Sequence, residues 1–143
     1  MLVKQILENK AGGVVFIAPG ASIADAAELL AARRIGAVVV SSDGETAQGI
    51  LSERDIVREL GNRGTGCLKD KVEAVMTRAI YGCKPEDTAD QVLETMTKRR
   101  FRHMPVMQET RMIGIISIGD VVAARLAELQ LEKDALTGMI MGH

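Results

Sequence analysis

One strand–helix–strand–strand–helix unit occurs twice in this chain of 143 residues. Displaced by 66 positions, Pro19 falls on Pro85, Glu28 on Glu94, Arg33-Arg34 on Arg99-Arg100 and Val40 on Val106. After a one-residue gap the displacement becomes 65, and Gly49-Ile50-Leu51-Ser52-Glu53-Arg54-Asp55 falls on Gly114-Ile115-Ile116-Ser117-Ile118-Gly119-Asp120. The gap lies in Ser42-Asp43-Gly44-Glu45, which reads as a loop, where changes in length are tolerated best. A duplication restricts the fold before any single residue does, because each copy must supply the same elements in the same order.

Periodicity agrees with the repeat. Val14 to Ala18 is an apolar run stopped by Pro19-Gly20, a strand and its turn. Ile23, Ala26, Ala27 and Leu30 then recur at helical spacing between Ser22 and Arg34, matched in the second copy by Ala89, Val92, Leu93 and Met96. Ala37 to Ser41 and Gln48 to Leu51 read as strands joined by the Asp43-Gly44 turn, and Ile56, Val57 and Leu60 open a closing helix. The second copy predicts a strand from Ile80 to Cys83, a helix from Thr88 to Arg100, strands Met104 to Met107 and Met112 to Ile116, and a long helix from about Gly119 to Leu136. Short amphipathic stretches, Val3 to Leu7 and Val72 to Met76, precede the copies, and Gly61-Asn62-Arg63-Gly64-Thr65-Gly66 reads as a flexible connection.

A half of this size buries little core by itself, so the expected fold is α/β (α+β): two βαββα repeats packed face to face in pseudo-two-fold symmetry. Residues 1–62 form repeat one with the N-terminal amphipathic segment, 63–71 the linker, 72–137 repeat two and 138–143 a tail. That tail, Gly138-Met139-Ile140-Met141-Gly142-His143, either frays or covers an apolar dimer surface.

Composition removes several classes of function. Aromatics are only 2% of the residues, too few for a base-stacking platform. A net charge of −1 gives no basic excess for nucleic acid or a membrane surface. The apolar runs are far shorter than the ~18–20 residues that span a bilayer, and no signal peptide is visible, so a cytoplasmic protein is expected. Cys67, Cys83, His103 and His143 show no metal-ligand spacing, and the cysteines read as unpaired thiols.

Both copies end a strand in Gly-Ile-Leu/Ile-Ser and reach an aspartate three residues later, at a helix start. A serine followed at that spacing by a carboxylate is a capping box, and Ser22…Asp25 and Thr88…Gln91 show related patterns. The same arrangement also suits a nucleotide. Free N–H groups and the positive helix end favour a phosphate, which the serine hydroxyl can join. The aspartate, one turn along, can accept both hydroxyls of a ribose at a distance from the phosphate charge.

The repeated Gly-h-h-Ser-x-x-Asp (h, apolar), with Arg102-His103-Met104-Pro105-Val106 ahead of the second motif, resembles a tandem pair of CBS domains, or Bateman module, from about Val3 to Arg125. The first copy departs from that pattern, with Ile35-Gly36-Ala37-Val38-Val39-Val40 where the His and Pro would fall. The resemblance implies a non-catalytic sensor that binds AMP, ADP, ATP, S-adenosylmethionine or NAD in clefts between the copies, and a homodimer formed through helices. It places Asp55 and Asp120 on ribose hydroxyls and Ser52 and Ser117 on phosphate. Adenine would lie in an apolar slot lined by Ile35, Gly36 and Ala37 in copy one. In copy two the lining would be Arg102, His103, Met104 and Pro105, with Met76, Thr77 and Ile80 added from its first strand.

Other readings stay open. His103 packs beside Pro105, contacts nucleotide, or acts as a base. Arg33-Arg34, Lys98-Arg99-Arg100 and Arg102 complement helix C-termini, while Arg102 or Arg54 could instead grip a phosphate. The eight methionines read as fillers of core and interface gaps. A ligand-free dimeric scaffold for an effector protein is one alternative, and a hydrolase using Ser117 and His103 is another, although no G-x-S-x-G elbow is present.

Overall fold

In the computed structural model, which describes residues 1–10, 13–78 and 81–140, the chain forms two compact units. One holds residues 13–81 with 109–113; the other holds 1–12, 82–108 and 114–143.

The unit built on the first repeat has a three-stranded sheet ordered β1 (Phe16–Ile17), β2 (Ala37–Val40) and β3 (Gly49–Ser52). β1 runs parallel to β2, and β2 antiparallel to β3 with Val38 opposite Leu51. β2 is buried along its whole length, as its unbroken Ala-Val-Val-Val run requires. Helices α2 (Ile23–Arg33) and α3 (Glu53–Arg63) cover the sheet, and Ile23, Ala26, Leu30 and Ile56 join Val38, Val40 and Leu51 in one core. α2 ends in a left-handed Arg34 (φ 54°), a conformation glycine usually supplies. The expected flexible connection is helical instead: α3 runs to Arg63 and a 3-10 turn continues through Gly64–Lys69, burying Cys67.

The second unit pairs β4 (His103–Gln108) with β5 (Arg111–Ser117) and packs α4 (Ala89–Arg99) against α5 (Ile118–Ile140). Arg100 repeats the left-handed helix end at φ 58°. The expected strand from Ile80 to Cys83 is not formed among the described residues. A single parallel bridge joins Cys83 to Val106, and Ile80 lies outside the described residues. α5 is longer than its sequence pattern suggests, and its outer Leu126, Leu129, Leu131, Leu136, Met139 and Ile140 are exposed. Residues 138–140 belong to this helix, while 141–143 fall outside the described residues.

The lead-in stretches pack on the repeat that does not follow them. Helix α1 (Val3–Asn9) hydrogen-bonds the second repeat, with Val3 N donating to Asp87 O at 2.8 Å, and Val3 and Ile6 enter that repeat's core. Reciprocally, Val72 N donates to Ala21 O at 2.8 Å, and Val72 and Met76 enter the core of the first repeat. Glycines mark both seats. A Cβ on Gly114 would lie 2.6 Å from Leu7 Cδ2, and one on Gly49 would lie 2.5 Å from Met76 Sδ.

Candidate functional site

Each Ser-x-x-Asp motif bridges a strand end and a helix start. In the first repeat Ser52 closes β3 and caps α3: Asp55 N donates to Ser52 Oγ at 3.3 Å, and Ser52 N donates to Asp55 Oδ2 at 2.9 Å. In the second, Asp120 N donates to Ser117 Oγ at 3.1 Å and Ser117 N donates to Asp120 Oδ2 at 2.8 Å. The approach to the motif repeats as well. Gly36 O accepts from Glu53 N at 2.9 Å, and Arg102 O accepts from Ile118 N at 2.8 Å. The segment before the middle strand is therefore clamped to the first residue of the closing helix in both copies.

The carboxylates themselves are unlike. Asp55 has a side chain only 8% exposed, with Oδ2 also accepting from Ser52 Oγ at 3.1 Å and Oδ1 accepting from Arg58 Nη2 at 2.9 Å. The Asp120 side chain is 26% exposed, and Lys10 Nζ donates to its Oδ2 at 2.8 Å and to Ile115 O at 2.9 Å. Burial pushes the Asp120 carboxyl up, but Lys10 and the Ser117 N–H outweigh it and hold the group below its ordinary value. No local spacing in the sequence marks Lys10, because its partner is 110 positions away. Arg58 stands three residues after Asp55 on one helix, a spacing that could have revealed it.

The remaining expected residues scatter around these motifs. Ala37 is buried opposite Ser52 in the β2–β3 ladder, while Arg54 and Arg102 are exposed. Met104 and Pro105 are buried in β4, where Pro105 O accepts from Cys83 N at 2.9 Å, and His103 is half-buried at the strand's start. Met76 and Thr77, expected beside the second motif, join the first repeat: Thr77 bridges Ile50 through N–O bonds of 2.9 and 3.0 Å. A cavity of about 520 Å³ in the first unit includes Ile35, Gly36 and Glu53, and one of about 350 Å³ in the second includes Cys83, Gln91 and Met104. Neither is lined by the motif serines or aspartates. Burial pushes the Cys83 thiol up to about 12, which makes it a poor nucleophile.

Among the described residues no cluster of three or more His, Cys, Asp or Glu side chains could hold a metal ion, and no helix is long and apolar enough to cross a membrane. The fold and its paired helix starts define a tandem-repeat α+β module carrying one polar motif per repeat. The CBS domain family model matches residues 3–62 and 72–127, and the chain belongs to that family.

A mitochondrial CBS domain-containing protein of Arabidopsis thaliana is 34% identical over 125 residues, 85% of this chain but 61% of that protein, so the chain spans somewhat less than two thirds of this relative. A CBS-domain protein from Agrobacterium tumefaciens has a crystal structure with a TM-score of 0.84 and 44% identity, covering 87% of this chain and 99% of that one. A CBS domain protein from Pyrobaculum aerophilum, solved as a complex with AMP, matches with a TM-score of 0.78 over 93% of this chain and 99% of its own, at 23% identity. At that identity the likeness is one of fold.

Proposed function

We propose that this chain is a non-catalytic regulatory module that binds an adenosine-containing nucleotide at its Ser-x-x-Asp helix starts. The observation that carries the reading is the second motif. There a partly exposed carboxylate lies in the first turn of a 23-residue helix, and its own N–H donates to the Ser117 hydroxyl. A helix start with a hydroxyl suits a phosphate, and a carboxylate suits the paired hydroxyls of a ribose. AMP in the Pyrobaculum relative supports the ligand class. AMP is the simplest candidate, with ADP, ATP, NAD and S-adenosylmethionine sharing the same adenosine. In this reading Asp120 and Asp55 hold ribose, Ser117 and Ser52 meet phosphate, and Ile35, Gly36, Ala37 and residues 102–105 face the base. The capping bonds of both serines support a holding role over a nucleophilic one.

Calorimetric titration of these five ligands tests the proposal. AMP or one of the others is expected to bind, and Asp120→Asn is expected to weaken it at least about tenfold, the loss of charge-assisted bonds to hydroxyls. No binding by any of the five would refute it. The exposed apolar side chains of α5 also support self-association as a homodimer. Sedimentation should then show a dimer that Leu129→Glu dissociates; a monomeric wild-type protein would exclude it.

A further inference from the structure

The two motifs draw their cations from different places. Lys10 reaches Asp120 from the end of α1, and its ammonium is shared between Asp120 Oδ2 and Ile115 O. Displacing the sequence by 69 brings Val3 onto Val72 and Leu7 onto Met76, and sets Ala79 against Lys10, so no lysine occupies the corresponding position for Asp55. Asp55 instead takes its cation from Arg58 on its own helix.

A carboxylate oxygen has two lone pairs. Asp120 Oδ2 already accepts from Ser117 N and Lys10 Nζ, whereas none of the described hydrogen bonds reaches Oδ1. A vicinal diol that takes one bond on each oxygen therefore competes with Lys10 for Oδ2 and weakens its hold there. The loosened ammonium keeps the Ile115 carbonyl. A ligand with an anionic group offers it a new charged partner, and an uncharged nucleoside does not.

We propose that Lys10 is a specificity-determining residue of the second-repeat site, one that favours phosphate-bearing adenosine ligands over uncharged nucleosides. This rests on the site reading given above and adds to it a selection rule. The lysine sets a penalty for opening the carboxylate, and a ligand phosphate relieves it.

Titration of AMP and of adenosine into wild-type protein and Lys10→Met separates the cases. Adenosine is expected to bind roughly fivefold tighter to Lys10→Met, the scale of one partly exposed ion pair, while AMP changes by less than about twofold. The AMP preference then narrows. Equal changes for both ligands, or no change for either, would overturn the selection role while AMP binding to the wild type still upheld the site. Failure of both ligands to bind wild-type protein would remove the site and this role together.

If Lys10→Met perturbs the docking of α1, salt provides a second measurement on the wild-type protein. Adenosine is neutral, so its affinity responds to salt only through charges within the protein. Its binding is expected to tighten as salt weakens the Lys10–Asp120 pair, and a flat or falling affinity would overturn the proposal.

Discussion

A carboxylate near a helix start or in a tight loop can serve as a cap, an ion-pair partner or a ligand contact, and these roles compete for the same lone pairs. Asp43 is committed to the first kind of role. Its Oδ1 accepts from Thr46 N at 2.7 Å, Glu45 N at 2.8 Å and Ser41 Oγ at 3.0 Å, and these donors lower its pKa from 3.8 to about 2. A folded pKa below the unfolded one contributes stability above the unfolded value and loses it as pH falls through the folded value. Asp43→Asn keeps the acceptor oxygen but not the charge, so it should melt below the wild type at neutral pH. That gap should close as pH drops from about 4 towards 2. A gap of constant size across the range would contradict the assignment. Local spacing made Asp43-Gly44 legible as a turn, and Gly44 does adopt φ 76°. The same local reading exposed Ser52, Asp55, Ser117 and Asp120, because a capping box is written within four residues. It could not expose Lys10, whose role depends on a contact made only after the chain folds.

At the scale of elements, the two lead-in stretches turn a sequence repeat into a packing rule. Leu7 and Met76 are equivalent by the displacement of 69, and each lies on the motif glycine in the last strand of the other repeat, Gly114 and Gly49 respectively. The glycines are needed for close approach. The three atoms nearest a Cβ at Gly114 all belong to the Leu7 side chain, the first two at 2.6 and 3.2 Å, and these can swing aside. A Cβ at Gly49 would meet Met76 Sδ at 2.5 Å and Cγ at 2.8 Å, and also the backbone Thr77 O at 3.0 Å, which is held in the Ile50–Thr77 bridge. Gly49→Ala should therefore destabilise by about 2–3 kcal/mol and Gly114→Ala by about 1 kcal/mol, within the usual span for overpacking. Denaturant unfolding checks the order, and equal costs would show that the Thr77 carbonyl gives way. The glycines stood out in the aligned motifs, and the amphipathic stretches were visible as such. What each stretch packs on was not legible, since an apolar face specifies burial without specifying a partner. Among the described residues, the run read as the first strand of copy two pairs through a parallel bridge at Cys83.

For the whole molecule, the reciprocal lead-ins mean that cores and repeats divide the chain differently. The family repeats are continuous in sequence, 3–62 and 72–127, but each hydrophobic core draws on a segment from the other repeat's side of the linker. Val3 and Ile6 belong to the core that contains Met104, Ile116 and Val121, and Val72 and Met76 to the core that contains Val38 and Leu51. Removing apolar volume from a lead-in should then weaken the repeat on which it packs. Ile6→Ala is expected to cost about 2–4 kcal/mol, the range for truncating a buried aliphatic side chain. Under native conditions its amide exchange should accelerate first in β4, β5 and α4, leaving β2 and β3 protected. Val72→Ala, a smaller deletion of about 1–3 kcal/mol, should show the opposite pattern, with β2 and β3 loosened first. If Ile6→Ala instead exposed β2 and β3, each lead-in would be acting on its own repeat, and the exchange of segments would have no energetic meaning. If both variants loosened all five strands equally, the two cores would open as one cooperative unit, and stability would belong to the pair rather than to either repeat.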